Sequence, residues 1–144
     1  MATARPVPLE ELCNRLEAVD HDVLRQGIRH ARRLAASGPP DLEATLARLR
    51  ETLEAQLADE AAHVLPACRR LDEGGEADEA LAASLAGLED DHVETLALLD
   101  RLEELAEGDE APALLAFAQD VREHIRLEHE LLFPRVRELC GANG

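Results

Sequence analysis

Apolar residues recur every three or four positions along almost the whole chain, and the rhythm breaks clearly in three places. The first is Ser37-Gly38-Pro39-Pro40, followed by Asp41 in the position of a helix N-cap. The second is Glu73-Gly74-Gly75-Glu76, and the third is Gly108-Asp109-Glu110-Ala111-Pro112. The pattern predicts helices over about 9–36, 41–72, 77–107 and 111–140. Helices of matched length joined by short turns pack as antiparallel neighbours. The expected fold is therefore all-α, an up-down-up-down four-helix bundle forming one domain over residues 1–144. Pro66 and Pro134 sit near the ends of the second and fourth helices and should kink or fray them, because proline removes a backbone donor and crowds the preceding turn.

The two halves resemble each other. Asp20-His21 answers Asp91-His92 at an offset of 71, and Glu60, Pro66, Arg69 and Leu71 answer Glu128, Pro134, Arg137 and Leu139 at an offset of 68. A repeated His, Glu and Pro is more than a shared apolar rhythm, and the halves read as a duplicated helical hairpin.

Composition agrees with long helices. The chain has 46% hydrophobic residues, mostly Leu, Ala and Val, with only two Phe and no Tyr, Trp or Lys. A sheet fold would need the β-branched and aromatic residues that are scarce here. Fifteen basic residues, all Arg, stand against 31 acidic ones, for a net charge of −16. Such a charge repels nucleic acid and anionic membrane surfaces, so neither is expected as a partner. The N-terminus has no continuous apolar stretch, and no segment reaches the ~20 apolar residues of a membrane span, so a cytoplasmic location is expected. Cys13, Cys68 and Cys140 are odd in number and far apart, which indicates neither a disulfide framework nor a zinc ribbon.

At about 100° per residue, several polar side chains fall on apolar faces. His21 shares its face with Leu24, Ile28 and Ala35; Gln56, Glu60 and His63 share a stripe with Leu49, Leu53 and Ala67. His92 lies with Leu81, Leu85, Leu88 and Leu99, and His124 and Glu128 with Phe117, Val121 and Leu131. His30 and His129 fall away from these faces and read as surface residues. Counting outward from the turns at ~1.5 Å per residue places His21, Gln56/Glu60, His92 and His124/Glu128 in one layer in the middle of the bundle.

Burying carboxylates in a Leu/Ala core costs several kcal/mol per charge unless something balances it. One answer is a metal-free network in which Glu60 and Glu128 accept hydrogen bonds from the imidazoles. The other is a metal cage, and four His with two Glu converging from four helices favour it. Imidazole and carboxylate without thiolate suit iron or manganese, with zinc as a competitor, and bridging Glu side chains suit two ions.

The fourth-helix segment His124-Ile-Arg-Leu-Glu128-His-Glu130-Leu-Leu-Phe-Pro134 resembles the HxxxE-containing motif of the hemerythrin-like, HHE cation-binding domains. Those are four-helix bundles with a non-haem di-iron site, and the resemblance covers nearly the whole chain. It implies that His21 and His92 are the single ligands of helices one and three, that His124 and Glu128 are the helix-four pair, and that Glu60 is the helix-two carboxylate. Where that pattern has a second-helix His, this chain has Gln56, whose carbonyl binds iron weakly. His63, three residues after Glu60, has the Glu-x-x-His spacing that places both side chains on one metal, and is the candidate replacement; a core or capping His is the alternative.

The resemblance further implies two iron ions and a small diatomic ligand, O₂ or nitric oxide, with manganese or zinc as other occupants. No helix carries a second constellation for an organic substrate, so ligand binding is expected rather than turnover. Two other readings stay open: a metal-free helical interaction module, and a di-iron enzyme acting on peroxide or oxygen. A phosphotransfer bundle is disfavoured because the chain has no Lys beside an exposed His.

Overall fold

The computed structural model describes residues 8–16, 21–36, 38–74 and 79–142. Residues 17–20 within the first expected helix, Ser37, the Gly75-Glu76 turn, the expected start of the third helix at 77, the N-terminal segment before Pro8 and the side chain of Cys140 lie outside that description. The described residues form helices joined by short turns and contain no strand. In chain order they form α1 (Leu9–Arg15), α2 (His21–Ala35), α3 (Pro40–Asp59), α4 (Leu65–Asp72), α5 (Glu79–Leu105), α6 (Ala111–Leu127) and α7 (Phe133–Ala142). A π-helical turn, Glu60–Val64, joins α3 to α4 without a break, and a second, Glu128–Leu132, joins α6 to α7. A 3₁₀ turn at Gly108–Glu110 leads into α6.

The turns follow from their residues. α3 starts two residues earlier than the Asp41 cap implies: Pro39 is extended, with φ −60° and ψ 145°, and Pro40 opens the helix. Proline costs nothing there because its missing N–H would have had no intrahelical acceptor. Asp41 instead lies in the first turn, with its charge at the positive end of the helix. α4 ends at Asp72, and Gly74, just past the Glu73 cap, has a φ of +89° that suits a residue without Cβ.

The two prolines act differently from a simple kink. In an α-helix the rings of Pro66 and Pro134 would press on the carbonyls of Ala62 and Glu130. Here the preceding turn widens: the N–H of Leu65 donates to the Glu60 carbonyl and that of Phe133 to the Glu128 carbonyl, each five residues back. The helices continue, but their facial phase changes.

α2, α3, α5 and α6 pack in a closed ring, α2 on α3, α3 on α5, α5 on α6 and α6 on α2, while α1 packs on α4 and α4 on α7. Two apolar clusters result. One joins Leu24, Ile28, Leu46, Leu49, Leu99, Leu102, Phe117 and Val121 among others. The other joins Leu9, Cys13, Leu16, Val64, Cys68, Leu85, Phe133 and Val136. A buried polar set, His21, Gln56, Glu60, His92, Thr95, His124 and Glu128, lies where the two clusters adjoin along the chain. Gly27 permits the close approach of α2 to α6: a Cβ there would lie 2.7 Å from Cδ1 of Phe117.

Candidate metal centre

The candidate ligating side chains of the buried layer come from five elements. His21 opens α2, His92 comes from the middle of α5, His124 from the last turn of α6, and Glu60 and Glu128 each begin a π-turn. Glu60 and Glu128 are 1% and 0% exposed, and the three imidazoles no more than 4%. His21 Nε2 lies 3.1 Å from Glu60 Oε2, and His124 Nε2 lies 3.6 Å from the same oxygen and 2.9 Å from Glu128 Oε1. His92 Nε2 lies 3.4 Å from Glu128 Oε1.

These donors form two triads, His21/Glu60/His124 and Glu60/His92/Glu128, with the ligand atoms of each within 4.8 Å of one another. Glu60 belongs to both. The close approaches are not aligned as hydrogen bonds: His21 Nε2, His92 Nε2 and all four carboxylate oxygens have no hydrogen-bond partner among the described residues. Buried polar atoms are nearly always satisfied, and six that converge without being satisfied are the arrangement a cation completes. The donor set fits such a group, since neutral imidazole and carboxylate are ligands for iron, manganese or zinc.

Electrostatics point the same way. Burial pushes the Glu60 carboxyl up, and the adjacent Glu128 carboxylate pushes it further. Burial would also raise Glu128, but the neighbouring Glu60, His124 and His92 outweigh it and hold Glu128 below the usual carboxylate range. Without a cation the two carboxyl groups are thus driven apart, Glu60 toward its protonated form and Glu128 toward its charged form.

Two histidines sit differently from their sequence-based placement. His63 is exposed and belongs to neither triad. Glu-x-x-His brings both side chains to one face in an α-helix, where the third residue on lies ~60° away. In a π-turn each residue advances only about 80°, so the third lies roughly 115° away while the fourth stays within ~40°. The fourth residue, Val64, is accordingly buried. The second π-turn repeats the effect: Leu131, expected beside Glu128, is 45% exposed, and Leu132 is buried.

His129, expected at the surface, is exposed over much of its ring yet places Nε2 2.8 Å from Nδ1 of His92. For His92 Nε2 to keep a lone pair for a cation, Nδ1 must carry the proton and donate it to His129. Burial pushes the His129 imidazole down, followed by the nearby His92, which favours its neutral, accepting form. Phe133 stacks on the His92 ring at 6.0 Å with 9° between planes and also contacts the His129 ring at 5.2 Å, which helps fix the orientation of both imidazoles. The signal that could have found His129 is the spacing Glu128 to Pro134, six residues, shared with Glu60 to Pro66. Gln56 is buried, and its amide Nε2 donates to Thr95 Oγ1 at 2.6 Å and to the Asp91 carbonyl at 3.4 Å. Thr95 was not singled out by the sequence reading; it donates in turn to the Asp91 carbonyl at 3.0 Å.

An all-helical protein with a buried His/carboxylate cluster in its interior belongs to the class of helical cation-binding domains. The chain is a member of the hemerythrin HHE cation binding domain family, whose sequence profile matches residues 10–136. No curated protein and no solved structure matches it. No helix among the described residues is long and apolar enough to cross a membrane.

Proposed function

We propose that this protein is a non-haem iron protein that holds two iron ions in the buried layer and binds or senses a small diatomic ligand, O₂ or nitric oxide. The observation that carries the reading is the sharing of Glu60 between two triads of converging, unsatisfied donors. His21, Glu60 and His124 would hold one ion and Glu60, His92 and Glu128 the other, with Glu60 common to both. His63 is not included. The whole chain would act as one domain, an up-down-up-down four-helix bundle in the cytoplasm, with the ring of α2, α3, α5 and α6 extended by α1, α4 and α7.

Reduced iron in such a site supplies an electron-rich centre for a diatomic ligand. The protein's own residues do the rest. The two apolar clusters on either side exclude bulk water. His129 and Phe133 hold the His92 ring in one tautomer and orientation. Gln56 stands where the family pattern has a His, and its hydrogen bonds to Thr95 and the Asp91 carbonyl tie its amide nitrogen to α5.

Elemental analysis of protein purified without a His-tag or added metal, beside His124→Ala, tests the reading. About two irons per chain, lost in the variant, with a visible absorption change on adding O₂ or nitric oxide to the reduced protein, are the expected results. No iron in either protein after anaerobic loading would refute metal binding; two irons with no spectral response would refute the diatomic ligand alone.

A further inference from the structure

α2 departs from the charge pattern of the rest of the molecule. Although acidic residues outnumber basic ones two to one, the fifteen residues of α2 carry Arg25, Arg29, Arg32 and Arg33 against a single acidic residue, Asp22. Several arginines elsewhere are matched: Arg48 pairs with Glu94, Arg122 with Asp100 and Glu103, Arg126 with Glu123 and Glu130, and Arg137 with Glu89. Arg29, Arg32 and Arg33 have no ion pair among the described residues.

These three side chains line a groove of about 560 Å³ between α2 and α3, the size of a small-molecule site. Arg50 faces them from α3, held by Glu54 at 3.1 Å. Ala35, Ala36 and Leu46 form an apolar floor. With Glu43 and Glu54 also lining it, the groove carries four positive and two negative charges, a net of +2 in a chain of net −16. It shares no residue with the buried His/Glu layer.

We propose that this groove is a second binding site, for a small organic polyanion bearing phosphate or carboxylate groups. Guanidinium forks recognise planar or tetrahedral oxyanions through paired N–H donors, and several converging from two helices select for multiple charge. The apolar floor accommodates a short carbon skeleton. The negative field of the remaining surface confines anion binding to this face.

The test is calorimetric titration of the full-length protein at low ionic strength with pyrophosphate and, separately, citrate. Arg29→Ala/Arg33→Ala removes two charges from the groove, and Arg70→Ala/Arg101→Ala removes two from elsewhere as a control. Circular dichroism confirms folding of both. Saturable binding of one anion per chain, weakened at least tenfold by the groove variant and unchanged by the control, is expected. Pyrophosphate alone would assign phosphate esters, citrate alone polycarboxylates, and both a site that reads charge number. The proposal is overturned by three results: no saturable binding of either anion, equal weakening in both variants, or binding of a hexaglutamate peptide without either small anion.

Discussion

Glu60→Gln should move stability in opposite directions with and without metal. In the metal-free protein, the Glu60 and Glu128 oxygens lie within 4.8 Å of each other and are out of contact with water. Two full charges at 4.8 Å repel by about 3.5 kcal/mol at an effective dielectric constant of ~20. Burial and the adjacent carboxylate push Glu60 up toward its protonated form, which lessens this repulsion at a cost that grows with pH. Glutamine reproduces the neutral acid: its amide can donate toward Glu128 without titrating. The variant should therefore stabilise the metal-free protein at pH 7 by about 2 kcal/mol, or roughly 4–8 °C in Tm for a chain of this size.

The sign with pH follows from the raised Glu60. A group whose folded-state value lies above its ordinary 4.5 adds stability below 4.5 and loses it as pH rises through the raised value. The advantage of the variant should thus be small at pH 4.5 and widen toward pH 8. Glu128, held low, acts in the opposite sense, losing its contribution only on acidification. With iron present the order should reverse, because the amide is a poor replacement for a shared carboxylate and the stabilisation conferred by bound metal is lost. The assay is thermal unfolding followed by circular dichroism, in chelator and with anaerobic ferrous iron. The reasoning is refuted if Glu60→Gln unfolds below wild type in chelator at pH 7 and iron leaves the wild-type Tm unchanged.

Three further outcomes are expected. His63→Ala should leave iron content and affinity unchanged, read by elemental analysis and competition with a chelator, because the π-turn rotates this side chain out to solvent. His129→Ala should retain the fold but weaken metal affinity by roughly 10–100-fold, since His92 loses the acceptor that sets its tautomer; an unchanged affinity would remove His129 from the site. Gly27→Ala should lower stability in urea unfolding by about 1 kcal/mol, as overpacking against Phe117, 2.7 Å from the new Cβ, exceeds the ~1 kcal/mol gained in helix propensity.

Much of the architecture is local and so legible in sequence. Apolar spacing and Pro/Gly turns mark where helices run, as at Pro39-Pro40 and Gly74, because each depends on a few neighbouring residues. The identity of the buried layer is legible for the same reason: a His or Glu set among Leu residues at helical spacing has nowhere to point but inward, which places His21, Glu60, His92, His124 and Glu128 in the interior. Facial phase beyond Glu60 and Glu128 is different. It depends on whether the next turn closes four or five residues back, a choice decided by the prolines at 66 and 134, and a fixed 100° step misplaces His63 and Leu131 together. Pairings across helices are beyond periodicity altogether. That Gln56 bonds Thr95, that His129 reaches His92, that Glu60 is common to two triads, and that four arginines meet in one groove are set by the packing of distant segments. Local periodicity thus reads out the burial of His21, Glu60, His92, His124 and Glu128 but not the fate of His63 and Leu131, and which buried groups meet is set by packing, because distances between helices depend on every residue between them.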